Sequence, residues 1–216
     1  MPPADDPRLE QLAIALSTVG YLGGQRCPLC QDEILMPSPY ASYELTLRPD
    51  HRIVILRDID CDAAVGDTSA IEHAARHVAA GNGYALHLHT VQNLLATQVR
   101  VETWTGPPAD EGVDTGWTSA AAVDLDCPTG LLVLGDGMSA SIDGIDPPEG
   151  PGRYRIAVYH QGRERAELAY REVVHAMGPR AGRADSELQA RYGAVEKYLL
   201  RMWWQQALPD TDDDDS

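Results

Sequence analysis

Apolar residues recur with a period of two through most of this chain and with a period of three to four in a few stretches. That pattern predicts a β-rich fold edged by helices. The clearest alternation runs through 150–162, GPGRYRIAVYHQG, where a glycine turn delivers a strand with Tyr154, Ile156 and Val158 on one face. Arg153, Arg155 and Tyr159 fall on the other. YALHLH at 84–89 sets Leu86 and Leu88 against His87 and His89, and TQVRVETWT at 97–105 sets Val99, Val101 and Thr103 against Arg100, Glu102 and Trp104. Near the C-terminal end, VEKYLLRMWW places Tyr198, Leu200, Met202 and Trp204 on one face and is expected to close a sheet. Residues 43–57 are expected to form a hairpin turning at Pro49-Asp50-His51, and Ile53 to Leu56, apolar on both faces, should lie centrally in a sheet.

Three helices interrupt the strands. The first spans 5–20, with Asp5 and Asp6 as caps before Pro7 and glycines 20, 23 and 24 as its stop. A short helix covers 69–80, capped by Thr68 or Ser69 and ended by Gly81. The third, 163–177, carries the stripe Ala166, Tyr170, Val173, Val174 and Met177, and with a polar connection to 193 it forms an insertion between two paired strands. The expected fold is mostly β: an antiparallel β-sandwich of about eight to ten strands with peripheral helices. It forms a single domain over 1–208, with 1–40 as an appendage and 209–216 as a disordered acidic tail.

Composition narrows the class. Hydrophobic residues make up 44% and charged residues 23%, the balance of a globular domain, and no apolar run reaches the length of a membrane span. The first residues lack the basic flank and apolar stretch of a signal peptide, so a cytoplasmic protein is expected. Net charge is −16, and it stays strongly negative without the tail aspartates Asp210, Asp212, Asp213, Asp214 and Asp215. Such a field repels nucleic acid and anionic membranes and favours basic partners, the alternative being a charge that serves solubility alone.

Candidate chemistry is sparse. Cys27 and Cys30 in RCPLC have the spacing of a zinc knuckle, but no second close pair follows; Cys61, Cys127, His87 and His89 are the candidate companions. The alternative is buried free thiols or a labile disulfide, and no cofactor. His73 and His77 share a helix face opposite Ile71, Ala74, Ala75 and Val78, which points them to solvent, and Ala74 stands where a metalloprotease motif needs Glu. A site joining them to His87 and His89 would require the helix to fold back over that strand. No phosphate-binding loop, nucleophile elbow or calcium loop occurs, and Ser139 has no linked histidine.

Taken together, GPGRYRIAVYHQGR, a variable insertion and the aromatic-ended EKYLLRMWW resemble a group of small actinobacterial β-rich proteins that are distantly similar to competence-J-like nuclease inhibitors. The resemblance covers about residues 84–204 and rests on a glycine turn, the Tyr-Arg strand, the Gly162-Arg163 corner and the terminal Trp strand. This chain departs from it in a longer insertion, in the RCPLC region and in Trp203-Trp204, where Trp-Pro is more usual. The resemblance implies a compact β-sandwich and brings no catalytic residue. The expected function is therefore non-enzymatic capture of a basic protein partner by an immunity or nuclease-inhibitor-like protein. Asp110, Glu111, Asp114, Asp143, Asp146 and Glu149 would supply the charge, and Trp104, Tyr159 and Trp203 the anchors. The alternatives are a zinc module or metal-dependent enzyme built on Cys27 and Cys30, and an adaptor subunit meeting another copy through Arg100, Arg153 and Arg155, residues that could instead pair across strands with Glu44, Glu102 or Glu196.

Overall fold

The computed structural model describes residues 38–61, 66–108, 116–138, 140–177 and 190–209. The first predicted helix, the RCPLC turn with Cys27 and Cys30, the acids Asp110, Glu111 and Asp114, Ser139 and the acidic tail lie outside the described residues. All described residues belong to one compact unit, Pro37–Ser216. In chain order its elements are β1 (Ala41–Leu47), β2 (Ile53–Asp58), α1 (Asp67–His77), β3 (Ala79–Gly81), β4 (Ala85–His89), β5 (Thr97–Trp104), β6 (Thr118–Cys127), β7 (Leu132–Gly135), β8 (Ser141–Ile145), β9 (Gly152–Gln161), α2 (Arg163–Met177) and β10 (Lys197–Gln206).

The strands form two five-stranded sheets, ordered β1-β5-β10-β9-β6 and β3-β4-β2-β7-β8. We call them sheet A and sheet B. Their inner faces enclose one core, to which sheet A contributes Val99, Val101, Ile156, Val158, Leu200 and Met202, and sheet B contributes Val54, Leu56, Leu86, Leu88, Leu132 and Leu134. Each such side chain contributes roughly 1.5–3 kcal/mol by leaving water, which fixes which face of every strand turns inward. The β-sandwich with peripheral helices is thus found, with one departure: β10 runs parallel to β5 while pairing antiparallel with β9.

Two local expectations are corrected. Residues 43–57 do not form a hairpin. β1 pairs with β5 in sheet A, whereas β2 lies at the centre of sheet B between β4 and β7. His51 and Arg52 adopt positive φ of 49° and 65° between them, so the turn sends the chain from one sheet to the other. The short helix ends at His77 rather than at 80, because Val78 at φ 75° breaks it and Ala79–Gly81 pairs with β4. No helix among the described residues is long and apolar enough to cross a membrane.

The insertion between β9 and β10 is helical as expected. α2 buries Ala166, Ala169 and Val173, the last two packing with Leu95. Gly162 forms the corner into it at φ +77°, and a Cβ there would run into the Val195 carbonyl oxygen. Gly162→Ala should therefore destabilise the fold by about 2 kcal/mol, a fall in Tm of roughly 4–8 °C. Gly83→Ala, at φ +95° with open space around its Cβ, should cost only about 1 kcal/mol of backbone strain. Thermal melts that rank the two the other way would contradict the corner's role.

Candidate partner-binding surface

The outer face of sheet A carries a ladder of complementary charges. Asp124 and Asp126 on β6 stand beside Arg155 and Arg153 on β9 in register. Arg153 grips Asp126 with two bonds, Nε to Oδ1 at 2.6 Å and Nη2 to Oδ2 at 3.0 Å, and Arg155 meets Asp124 at 2.7 Å. Further along the sheet, Glu102 accepts from Arg201 at 3.2 Å and lies 3.5 Å from Arg100. The three arginines considered for an adaptor face are therefore paired within the chain. Glu102 is among the carboxylates the sequence offers these arginines, whereas Asp124 and Asp126 were missed, although D-x-D on one strand facing R-x-R on its neighbour carried the signal.

The three aromatic candidates differ. Trp104 is only 6% exposed, with the Arg201 guanidinium 5.3 Å from its ring, which removes it from the set of exposed anchors. Tyr159 and Trp203 are half-buried on the same face, Trp203 lying between Trp104 and Arg155 in register. Asp143 lies instead on the opposite side of the sandwich. It borders a groove of about 400 Å³ on the outer face of sheet B, lined also by Ile55, Arg57, Val133 and Ser141. Asp146 and Glu149 sit in the connection from β8 to β9, exposed like Asp143. Tyr43 and Tyr154 hold that connection, the Tyr43 hydroxyl accepting from the Asp146 N–H at 3.3 Å and the Tyr154 hydroxyl donating to the Gly150 carbonyl at 2.5 Å. Among the described residues, Asp143 and the Tyr159–Trp203 pair therefore lie on opposite outer faces of the sandwich.

The candidate metal ligands are also dispersed. Cys127 is in the core, where burial and a bond to Asp58 push its thiol pKa up and keep it protonated. His87 projects from the other side of sheet B, 1% exposed, with its Nε2 3.2 Å from Asp67 at the start of α1. The helix does fold over the strand, yet His73 and His77 face water with ring centroids 4.4 Å apart. His89 and Cys61 are half-buried. Among the described residues no three His, Cys, Asp or Glu side chains gather where they could hold an ion.

A buried polar cluster lies where α2 joins the sheets. Glu196 accepts through one oxygen from the Val91 N–H at 2.8 Å, the Tyr198 hydroxyl at 2.6 Å and Arg163 at 3.3 Å. Arg163 also donates to the Tyr198 hydroxyl and to the His89 carbonyl. Perturbed pKa values mark active sites or structural ties. Here the donors converge on the carboxylate itself, so the cluster fastens the start of β10 to β4 and α2.

No protein-family model matches the chain, and no curated protein matches it. Among solved structures it is similar to ComJ from Bacillus subtilis, described as an inhibitor of the DNA degrading activity of NucA, at 12% identity and a TM-score of 0.48, over 79% of this chain and 99% of that one. It is also similar to a protein described as Crocagin biosynthetic gene J, at 17% identity and a TM-score of 0.44, over 77% of this chain and 97% of that one. The likeness is distant and transfers no residue role.

Burial holds the Glu196 carboxyl above its ordinary range, against the opposing pull of Tyr198, Val91 and Arg163. A carboxyl whose folded pKa exceeds its unfolded one binds its proton more tightly in the native state. The stability it supplies is full at low pH and is lost as pH rises through the folded value. Glu196→Gln keeps the acceptor oxygen without the charge. Relative to that variant, the wild type should therefore gain stability as pH falls from about 7 to about 4, across the carboxylate range. Urea melts showing a constant difference over that interval would contradict this assignment.

Proposed function

We propose that this chain is a non-enzymatic binding protein of the immunity or nuclease-inhibitor kind, which captures a basic protein through its negative field. One observation carries the reading: Asp143, Asp146 and Glu149 are exposed and form no ion pair among the described residues, whereas Arg100, Arg153, Arg155 and Arg201 are tied to carboxylates of the same chain. Those four arginines share the three carboxylates of Asp124, Asp126 and Glu102, so they do not answer the charge of the three exposed acids. With a net charge of −16 behind them, these acids accelerate encounter with a positive partner and disfavour nucleic acid and anionic lipid. The resemblance carried by β9, the insertion and β10 implies the same class of activity.

The mechanism is electrostatic steering followed by short-range contact. Rim charges act chiefly on the association rate, and the docked apolar contacts set how long the complex lasts. Replacing Asp143, Asp146 and Glu149 together by Arg should slow association with a purified basic nuclease about tenfold at low salt and flatten its dependence on ionic strength. Stopped-flow association rates at two salt concentrations measure both effects. A rate indifferent to salt and to the three changes would remove the electrostatic mechanism.

A further inference from the structure

The ends of several strands converge on one end of the sandwich. In sheet A, Trp203 is level with Trp104 and Gly152 with Cys127; in sheet B, Asp58 is level with Leu132, which is level with Ile145, and Arg57 with Ala85. The Tyr43–Asp146 bond joins the two sheets there. Five of the eight large hydrophobic residues found exposed among the described residues stand at this end: Tyr40 (64%), Tyr84 (47%), Ile59 (39%), Leu131 (38%) and Trp204 (36%). Such a concentration is unusual, because isolated apolar side chains scatter over a monomer's surface whereas grouped ones mark contacts.

Backbone contacts tie the segments of four of the five together. The Ile59 N–H donates to the Leu131 carbonyl at 2.9 Å, Gly130 packs on Gly150 and Pro151, and Gly152 lies under the Trp204 indole. On the far side, the Asp126 N–H donates to Gly83 at 2.7 Å, next to Tyr84. Asp60, Asp146 and Glu149 rise among these residues, exposed and without an ion pair among the described residues. The nearby cations are already engaged: Arg57 donates to the carbonyls of Asp58, Ile59 and Cys61, and Arg153 is held by Asp126.

Resting on the reading above, we infer that this end of the sandwich is the docking face, and that its occupant is a protein surface with arginine or lysine side chains around an apolar centre. An apolar middle with acids at its rim is the complement of that surface. Charge decides against the other occupants. A second copy meeting the first through this face would set Asp60, Asp146 and Glu149 against themselves, and nucleic acid or an anionic bilayer would be repelled.

The test uses the full chain, labelled with nitrogen-15, and a synthetic amphipathic peptide whose arginines flank a leucine and tryptophan stripe. Amide shifts should change at Asp60, Leu131, Glu149 and Trp204. Leu131→Ser with Trp204→Ser should raise the Kd about tenfold or more. Glu149→Arg, in an exposed loop where misfolding is not an issue, should do the same at low salt, with its effect fading from about 50 mM to about 300 mM salt as screening grows. Shifts that map to the Asp143 groove or to α2, with binding still sensitive to salt, would overturn this face and leave the basic-partner reading standing. No binding of the arginine peptide at low salt would overturn both.

Discussion

The buried carboxylate of Glu196 is the tie on which sheet A depends. Removing it from water is costly, and only the convergence of the Val91 N–H, the Tyr198 hydroxyl and Arg163 compensates. Those donors come from the segment after β4, from β10 itself and from the first residue of α2. The carboxylate thereby fixes where β10 enters the sheet, and β10 is the central strand, with Tyr198, Leu200 and Met202 fully buried. A parallel partner such as β5 cannot be reached by a tight turn. β10 arrives after the α2 insertion, and its docking brings the β1-β5 and β9-β6 pairs into one sheet. Most contacts of sheet A are therefore long-range, and the chain must be nearly complete before that core can close.

Much of this was legible in the sequence wherever one physical rule decides the outcome. Alternation in GRYRIAVYHQ fixed which side of β9 is buried, because period two has a single solution when one face is apolar. A helical period placed Ala166 and Val173 of α2 against the protein in the same way, although Val174 of that stripe is exposed. Alternation does not name a strand's partner. The 43–57 segment looked like a hairpin because its two halves are close in sequence and joined by Pro49-Asp50-His51, whereas the positive φ of His51 and Arg52 diverts the second half into the other sheet. Trp104 was misplaced for a related reason. Its side of β5 is polar in pattern, yet Glu102 and Arg201 meet there as a buried pair beside the indole, a contact between residues far apart in sequence. The apolar group formed by Ile59, Tyr84, Leu131 and Trp204 was equally invisible, since each belongs to a different turn or strand end and only the registers bring them together.

The functional account follows from how charge is distributed rather than from its total. A chain can be strongly acidic merely to stay soluble. Here Arg100, Arg153, Arg155 and Arg201 on sheet A are tied to neighbouring carboxylates on β6 and β5, while Asp60, Asp143, Asp146 and Glu149 remain exposed and without an ion pair among the described residues. Exposed apolar side chains stand among three of those four acids. Long-range attraction and short-range burial are thereby available on one surface, which is what fast and durable capture of a basic protein requires.

Native mass spectrometry of the full chain, purified from its own host at low ionic strength and then exposed to rising salt, tests the central claim most directly. The account predicts a complex with a basic protein that dissociates as salt increases. A chain that emerges alone at low salt, or one bound to an acidic partner that salt does not release, would contradict it.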